Sequence, residues 1–126
     1  YLIEQKRWTE ALEIYGHANK LRPGHPVVER DYAWYLAVAP NRQARNPKQA
    51  AAIIDAIFAK YGVVRPDQYE LFSVVYAANG RFRDAVTYSG YAIARAERRN
   101  DASLVAELKQ RHQLFQRGQA WIMPNN

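Results

Sequence analysis

The sequence predicts an all-α fold, an α-solenoid of antiparallel helix hairpins, and three observations carry that expectation. The run Lys6-Arg7-Trp8-Thr9-Glu10-Ala11 recurs in kind 74 positions later as Gly80-Arg81-Phe82-Arg83-Asp84-Ala85. Each copy is followed at the same distances by a glycine and an alanine, Gly16 and Ala18 in the first, Gly90 and Ala92 in the second. Such self-similarity of aromatic, acid and small residue is the signature of stacked helix pairs. Apolar residues elsewhere recur every three or four positions and never alternate with a period of two over a useful length. The six Pro and six Gly fall mostly between these periodic segments, where they end helices rather than interrupt them.

Residues 1–5 read as the end of one helix and 9–21 as the next, with Thr9 as its cap and Ala11, Leu12, Tyr15 and Ala18 at helical spacing. Pro23-Gly24-His25-Pro26 stops it. Residues 27–39 form a third helix with Val28, Tyr32, Tyr35, Leu36 and Ala39 on one side, and Pro40 ends it. A polar loop, 41–46, leads to Pro47, which suits the first turn of a helix running to Tyr61. Ala50, Ile53, Ile54, Ile57, Phe58 and Tyr61 make its expected buried stripe. Gly62 closes it, Pro66-Asp67 opens another carrying Tyr69, Phe72, Val75 and Tyr76, and Asn79-Gly80 ends that one at a residue free to take positive φ.

Residues 82–99 are its partner, burying Ala85, Val86, Ala92, Ile93 and Ala96. Asn100-Asp101 caps a last helix whose Leu104, Val105, Leu108, His112 and Phe115 form one stripe, ending at Gly118. Ala11, Ala50 and Ala85 are small where helices must approach closely, and Trp8 and Phe82 are large where a turn leaves a hole. The mid-helix Gly16 and Gly90 point either to a close backbone approach or to a tolerant outer face. Beyond Gly118, Trp121, Ile122 and Met123 form an apolar tail that folds back over the domain or docks on another chain.

The chain holds no cysteine, which excludes disulfides, thiolate catalysis and Cys-ligated zinc and leaves the compartment open, cytoplasmic or periplasmic. Its longest apolar stretch is far shorter than the roughly 20 residues a membrane-spanning helix needs. The sequence opens at Tyr1 inside a helical pattern, so the expectation is the C-terminal part of a longer protein with further repeats upstream. The net charge of +6 centres on Arg42, Arg45, Lys48, Lys60 and Arg65, as ordinary surface charge or as a contact for an acidic partner.

These residues resemble the tetratricopeptide repeat family, whose unit of about 34 residues is a helix hairpin with a small residue early in its second helix and a proline after it. Tyr69, Phe72, Tyr76, Gly80, Phe82, Ala85 and Ala92 fall where that family places its signature, and residues 66–99 fill one unit. Residues 1–25 match a partial unit through Trp8, Ala11, Tyr15, Ala18 and Pro23. Residues 26–65 match a longer unit whose extra length lies between its helices, similar to a divergent subtype of bacterial repeat proteins. Residues 100–118 resemble the capping helix of such arrays, and 119–126 form a tail.

The resemblance implies a single domain without catalysis or cofactor that binds a protein or peptide in a concave, mainly apolar groove. The groove positions it implies are Ile3 and Glu4; Arg30, Trp34, Ala37 and Val38; and Asp67, Glu70, Val74, Ala77 and Ala78. The acidic Asp67 and Glu70, with Leu71, argue against a clamp for a peptide carboxylate. Trp34 is either the groove's aromatic anchor or a packing residue.

Self-association is the alternative, driven by the exposed edge from Tyr1 to Trp8 and the tail from Trp121 to Met123. Arg42, Arg45 and Lys48 on the middle loop form a candidate anion contact; that loop lacks the interleaved aromatics of a single-strand binder, so nucleic acid is not the expected partner. His17, His25 and His112 are too far apart to read as metal ligands. No nucleophile elbow or phosphate-cradling glycine loop is present.

Overall fold

The computed structural model describes residues 2–124, with side chains from Lys6 onward, so the expected groove positions Ile3 and Glu4 lie outside the described side chains. Six α-helices follow one another: α1 (Leu2–Leu21), α2 (Pro26–Val38), α3 (Pro47–Tyr61), α4 (Tyr69–Ala78), α5 (Phe82–Arg98) and α6 (Ala102–Gln116). A single 3-10 turn, Pro66–Gln68, leads into α4. No strand occurs among the described residues, and the fold is all-α.

Local chemistry explains most helix ends. His25 accepts from the backbone N–H of Val28 at the start of α2, and Pro26 occupies the first turn. Asn46 Oδ1 accepts from Gln49 N at 3.2 Å and Asp101 Oδ1 from Leu104 N at 3.1 Å, each satisfying one orphan donor of a first turn. Gly62, at φ 76°, donates to Phe58 O and closes α3 in the left-handed conformation.

The expected break before Thr9 is absent: α1 runs unbroken through residues 6–8. The second copy turns on Gly80 at φ 78°, whereas the first has Lys6 there, for which that conformation is strained.

The contacts set the packing directions. Gly16 meets Tyr32 and Trp8 meets Tyr35, so α1 packs on α2. Asn46 N donates to Leu36 O while Gln49 Nε2 reaches Tyr32 Oη, which folds α3 back along α2. Tyr76, Phe72 and Tyr69 of α4 meet Tyr88 and Tyr91 of α5 in reverse order, and Ser89 of α5 meets His112 of α6. Asn79 Nδ2 donates to Pro47 O and ties the end of α4 to the start of α3. α2 and α4 lie side by side, with residues 30–35 beside residues 67–71.

The core follows from residue size. Ala85, Ser89, Ala92 and Ala96 form the buried stripe of α5, so that α4 and α6 approach it closely on small side chains. Ala50, Ile54 and Ile57 are the buried face of α3. Phe58 and Tyr61, expected on that stripe, are exposed instead. Phe58 sits about 100° round the helix from Ile57, and Tyr61 lies in the last turn, where its ring takes the charges of Lys60 and Arg65. α4 is buried at five successive positions, Leu71 to Val75, as a central helix must be.

Candidate functional site

The face formed by α2 and α4 carries an open cleft of about 320 Å3, lined by Arg30, Asp31, Trp34, Tyr35, Asp67, Glu70, Leu71 and Arg111. Helical spacing puts Arg30 and Trp34 on one side of α2, and the 3-10 turn delivers Asp67 one turn before Glu70. Arg30, Trp34, Asp67 and Glu70 were expected at a groove, and the fold brings these four to the same cleft. Its walls are more charged than expected. Arg30 Nε lies 3.4 Å from Asp31 Oδ1 and Arg65 Nε 3.7 Å from Asp67 Oδ1, both at exposed positions where such pairs contribute little stability.

Arg111 is different. Its side chain is only 13% exposed, and its guanidinium lies 3.3 Å from Glu70 Oε1 and 3.9 Å from Glu107 Oε2. The same group lies over the ring of Trp121 at 4.2 Å and that of Trp34 at 5.5 Å. One cation therefore joins α6, α4, α2 and the segment that follows α6. That segment folds back over the domain: Trp121 packs 5.8 Å from Trp34, and Met123 N donates to Val38 O at 2.8 Å. The sequence signal for Arg111 was a cation on the edge of the apolar stripe of α6, where a buried charge needs a partner.

The remaining groove positions behave otherwise. Ala37, Val38 and Val74 have no exposed surface and Ala77 has 2%; these four are core residues and cannot line a groove. Their side of α2 and α4 is covered by the neighbouring helices and, over Val38, by the returning segment. Ala78 is partly buried and packs against that core.

The basic loop does not present three cations. Arg45 turns inward, its Nε donating to Ala39 O at 2.9 Å and its Nη2 to Pro40 O at 3.4 Å. Burial, then the neighbouring charge of Arg42, lowers its pKa. Two of its five N–H donors are thus spent on backbone carbonyls, which leaves Arg45 less free to meet an anion than the exposed Arg42 and Lys48. Asn41 Oδ1 accepts from Gln43 N and Ala44 N, which fixes the loop. A second cleft, of about 580 Å3, lies between α1 and this loop and includes His17, Asn19, Tyr32, Arg45 and Gln49.

His112 Nδ1 lies 2.5 Å from the buried Ser89 Oγ, which also lies 3.1 Å from Val86 O, so a hydrogen bond between the two side chains ties α6 to α5. His25 is the α2 cap. Among the described residues no three His, Cys, Asp or Glu side chains converge as a metal ion would need, and no helix is long and apolar enough to cross a membrane. Sequence reading also missed a tyrosine cluster in which Tyr88 contacts Tyr69, Phe72, Tyr76 and Tyr91. Comparison with protein-family models, with curated proteins and with solved structures gives no match.

Proposed function

We propose that this chain is a non-catalytic scaffold of the tetratricopeptide kind, a right-handed stack of helix hairpins that receives a protein segment on its α2/α4 face. The observation that carries this reading is the cleft in which Arg30, Trp34, Asp67, Glu70 and Arg111 meet. Aromatic and arginine side chains surrounded by a charged rim are the usual composition of a protein contact. Nothing in the cleft pairs a nucleophile with a base, and each of its carboxylates faces an arginine, which favours recognition over proton transfer.

Arg30 and Asp67 are exposed, so reversing both charges tests the cleft without touching the core. The double variant Arg30→Glu, Asp67→Arg is expected to lose at least tenfold in retention of the partner that co-purifies with the parent, with unchanged helicity and melting. Full retention by the folded variant contradicts the reading.

A second reading is favoured by a separate observation. Ile14 and Leu21 on α1 are each 70% exposed, and they lie two turns apart on one side of the helix, as an unpartnered stripe would. Self-association through this face predicts a concentration-dependent dimer in light scattering that Ile14→Glu abolishes. The Trp121 segment does not serve that role in this arrangement, because its aromatic face is already covered.

A further inference from the structure

The segment 119–124 is not helical, yet it occupies the edge of the candidate cleft in the manner of a bound peptide. Its aromatic residue, Trp121, contacts both the indole of Trp34 and the guanidinium of Arg111. Two positions on, Met123 N donates to Val38 O, a carbonyl of the last turn of α2 that the helix itself leaves without an acceptor role. Met123 and Ala120 pack on the core beside it.

The attachment is slight for its position. After Gln119 N, which donates to Leu114 O in the closing turn of α6, the Met123 contact is the one main-chain hydrogen bond recorded for the described part of the segment. Gly118, at φ 74°, precedes it as a pivot. A short non-helical stretch held by one main-chain amide and the packing of Ala120, Trp121 and Met123 opens more readily than the hydrogen-bonded helices beneath it.

We infer that segment 119–124 is an internal occupant of the protein-binding face, and that the external partner is an extended segment of like chemistry: an aromatic residue followed two positions later by a residue with a free backbone N–H. The partner's aromatic side chain takes the place of Trp121 under Arg111 and against Trp34. Its amide takes over Val38 O. Affinity for the partner is then reduced by the fraction of molecules in which the segment is seated. This inference rests on the scaffold reading and names the ligand of that site.

The test uses the full chain and a fluorescent peptide of residues 119–124. The double variant Trp121→Ser, Met123→Gly weakens the internal occupant, and it is expected to bind the peptide in fluorescence anisotropy at least tenfold more tightly than the parent does. A peptide with alanine at the Trp121 position should not bind, and adding Arg111→Met to the variant should remove binding of the original peptide. A folded variant that binds no better than the parent overturns the inference.

A second measurement needs no variant: in the parent, the Met123 amide should exchange with solvent at least tenfold faster than the α4 amides of Phe72 to Val75. Equal protection would make the segment a fixed part of the fold and also overturn it. Loss of partner retention on reversing Arg30 and Asp67, together with failure of the peptide, would leave the scaffold reading standing and reject this ligand alone.

Discussion

Arg111 lies over both Trp34 and Trp121 while holding Glu70 at 3.3 Å, so one guanidinium links three helices and the returning segment. Arg111→Met keeps the aliphatic stem and deletes the charge. Cation–π contacts contribute roughly 0.5 to 2 kcal/mol, and the orphaned Glu70 is 38% exposed, so it rehydrates instead of carrying the full penalty of a broken buried pair. The expected loss in urea unfolding is about 1 to 3 kcal/mol, with a red shift in tryptophan emission. Unchanged stability and emission would show that the cation is not in contact with the rings.

The two repeat-related glycines should respond with opposite sign. A Cβ at Gly16 would lie 2.9 Å from Tyr32 Oη, which is itself held by Gln49 Nε2 at 2.9 Å; at Gly90 the nearest side-chain atom is His112 Cε1 at 3.9 Å. Gly90→Ala gains helix propensity, about 0.5 to 1 kcal/mol. Gly16→Ala meets the same gain with a clash and should lose about 1 kcal/mol net, in the range of other overpacked contacts. Tyr32→Phe should restore the Gly16→Ala variant. Equal stabilisation at both sites in thermal melts would mean that α1 does not approach α2 as described.

Much of this fold was legible because its punctuation is local. Pro47 and Gly62 bound α3, and Asp101 with Gly118 bounds α6, each through a local cap or turn that few residue types favour. The continuity of α1 was not legible: the pattern of Trp8, Glu10 and Ala11 matches Phe82, Asp84 and Ala85, but the turn before the second copy depends on Gly80 alone. The groove was half legible for a related reason. Periodicity marks which residues share a side of a helix, but α4 is buried at every position from Leu71 to Val75 and again at Ala77, so Val74 and Ala77 face neighbours and not a surface. The return of Trp121 to Trp34 has no periodic signal at all, since it is a contact between a helix and an irregular segment far along the chain.

Ala85 has no exposed surface and lies on the small-residue stripe between α4 and α5. Ala85→Leu is expected to cost about 1 to 3 kcal/mol by overpacking. The check is the midpoint of urea unfolding, and a variant as stable as the parent would place a void where the two helices are described as touching.

Alkaline pH should unfold the chain through its tyrosines. Burial raises the pKa of Tyr15, Tyr76 and Tyr88; neighbouring tyrosines and acids add to it, while Arg81 opposes it at Tyr76. A raised folded value means that the neutral phenol is favoured by folding. That stabilisation is complete below the ordinary phenol value of about 10 and is lost as pH rises from there through the folded values. Melting temperature is therefore expected to decline above pH ~10, with a shallower decline in Tyr88→Phe. A decline of equal slope in that variant, or phenolate absorbance of Tyr88 appearing at the free-phenol value, contradicts the burial of this ring.

The proposal that the α2/α4 face receives a protein segment is tested most directly by photo-crosslinking from defined positions in the protein's own cell. A photoreactive residue placed at Arg30 or Asp67 is expected to give an adduct with a discrete partner, and one at the exposed Thr87 on α5 to give none. Adducts from Thr87 with none from Arg30 or Asp67 would place the partner on another surface and contradict the account.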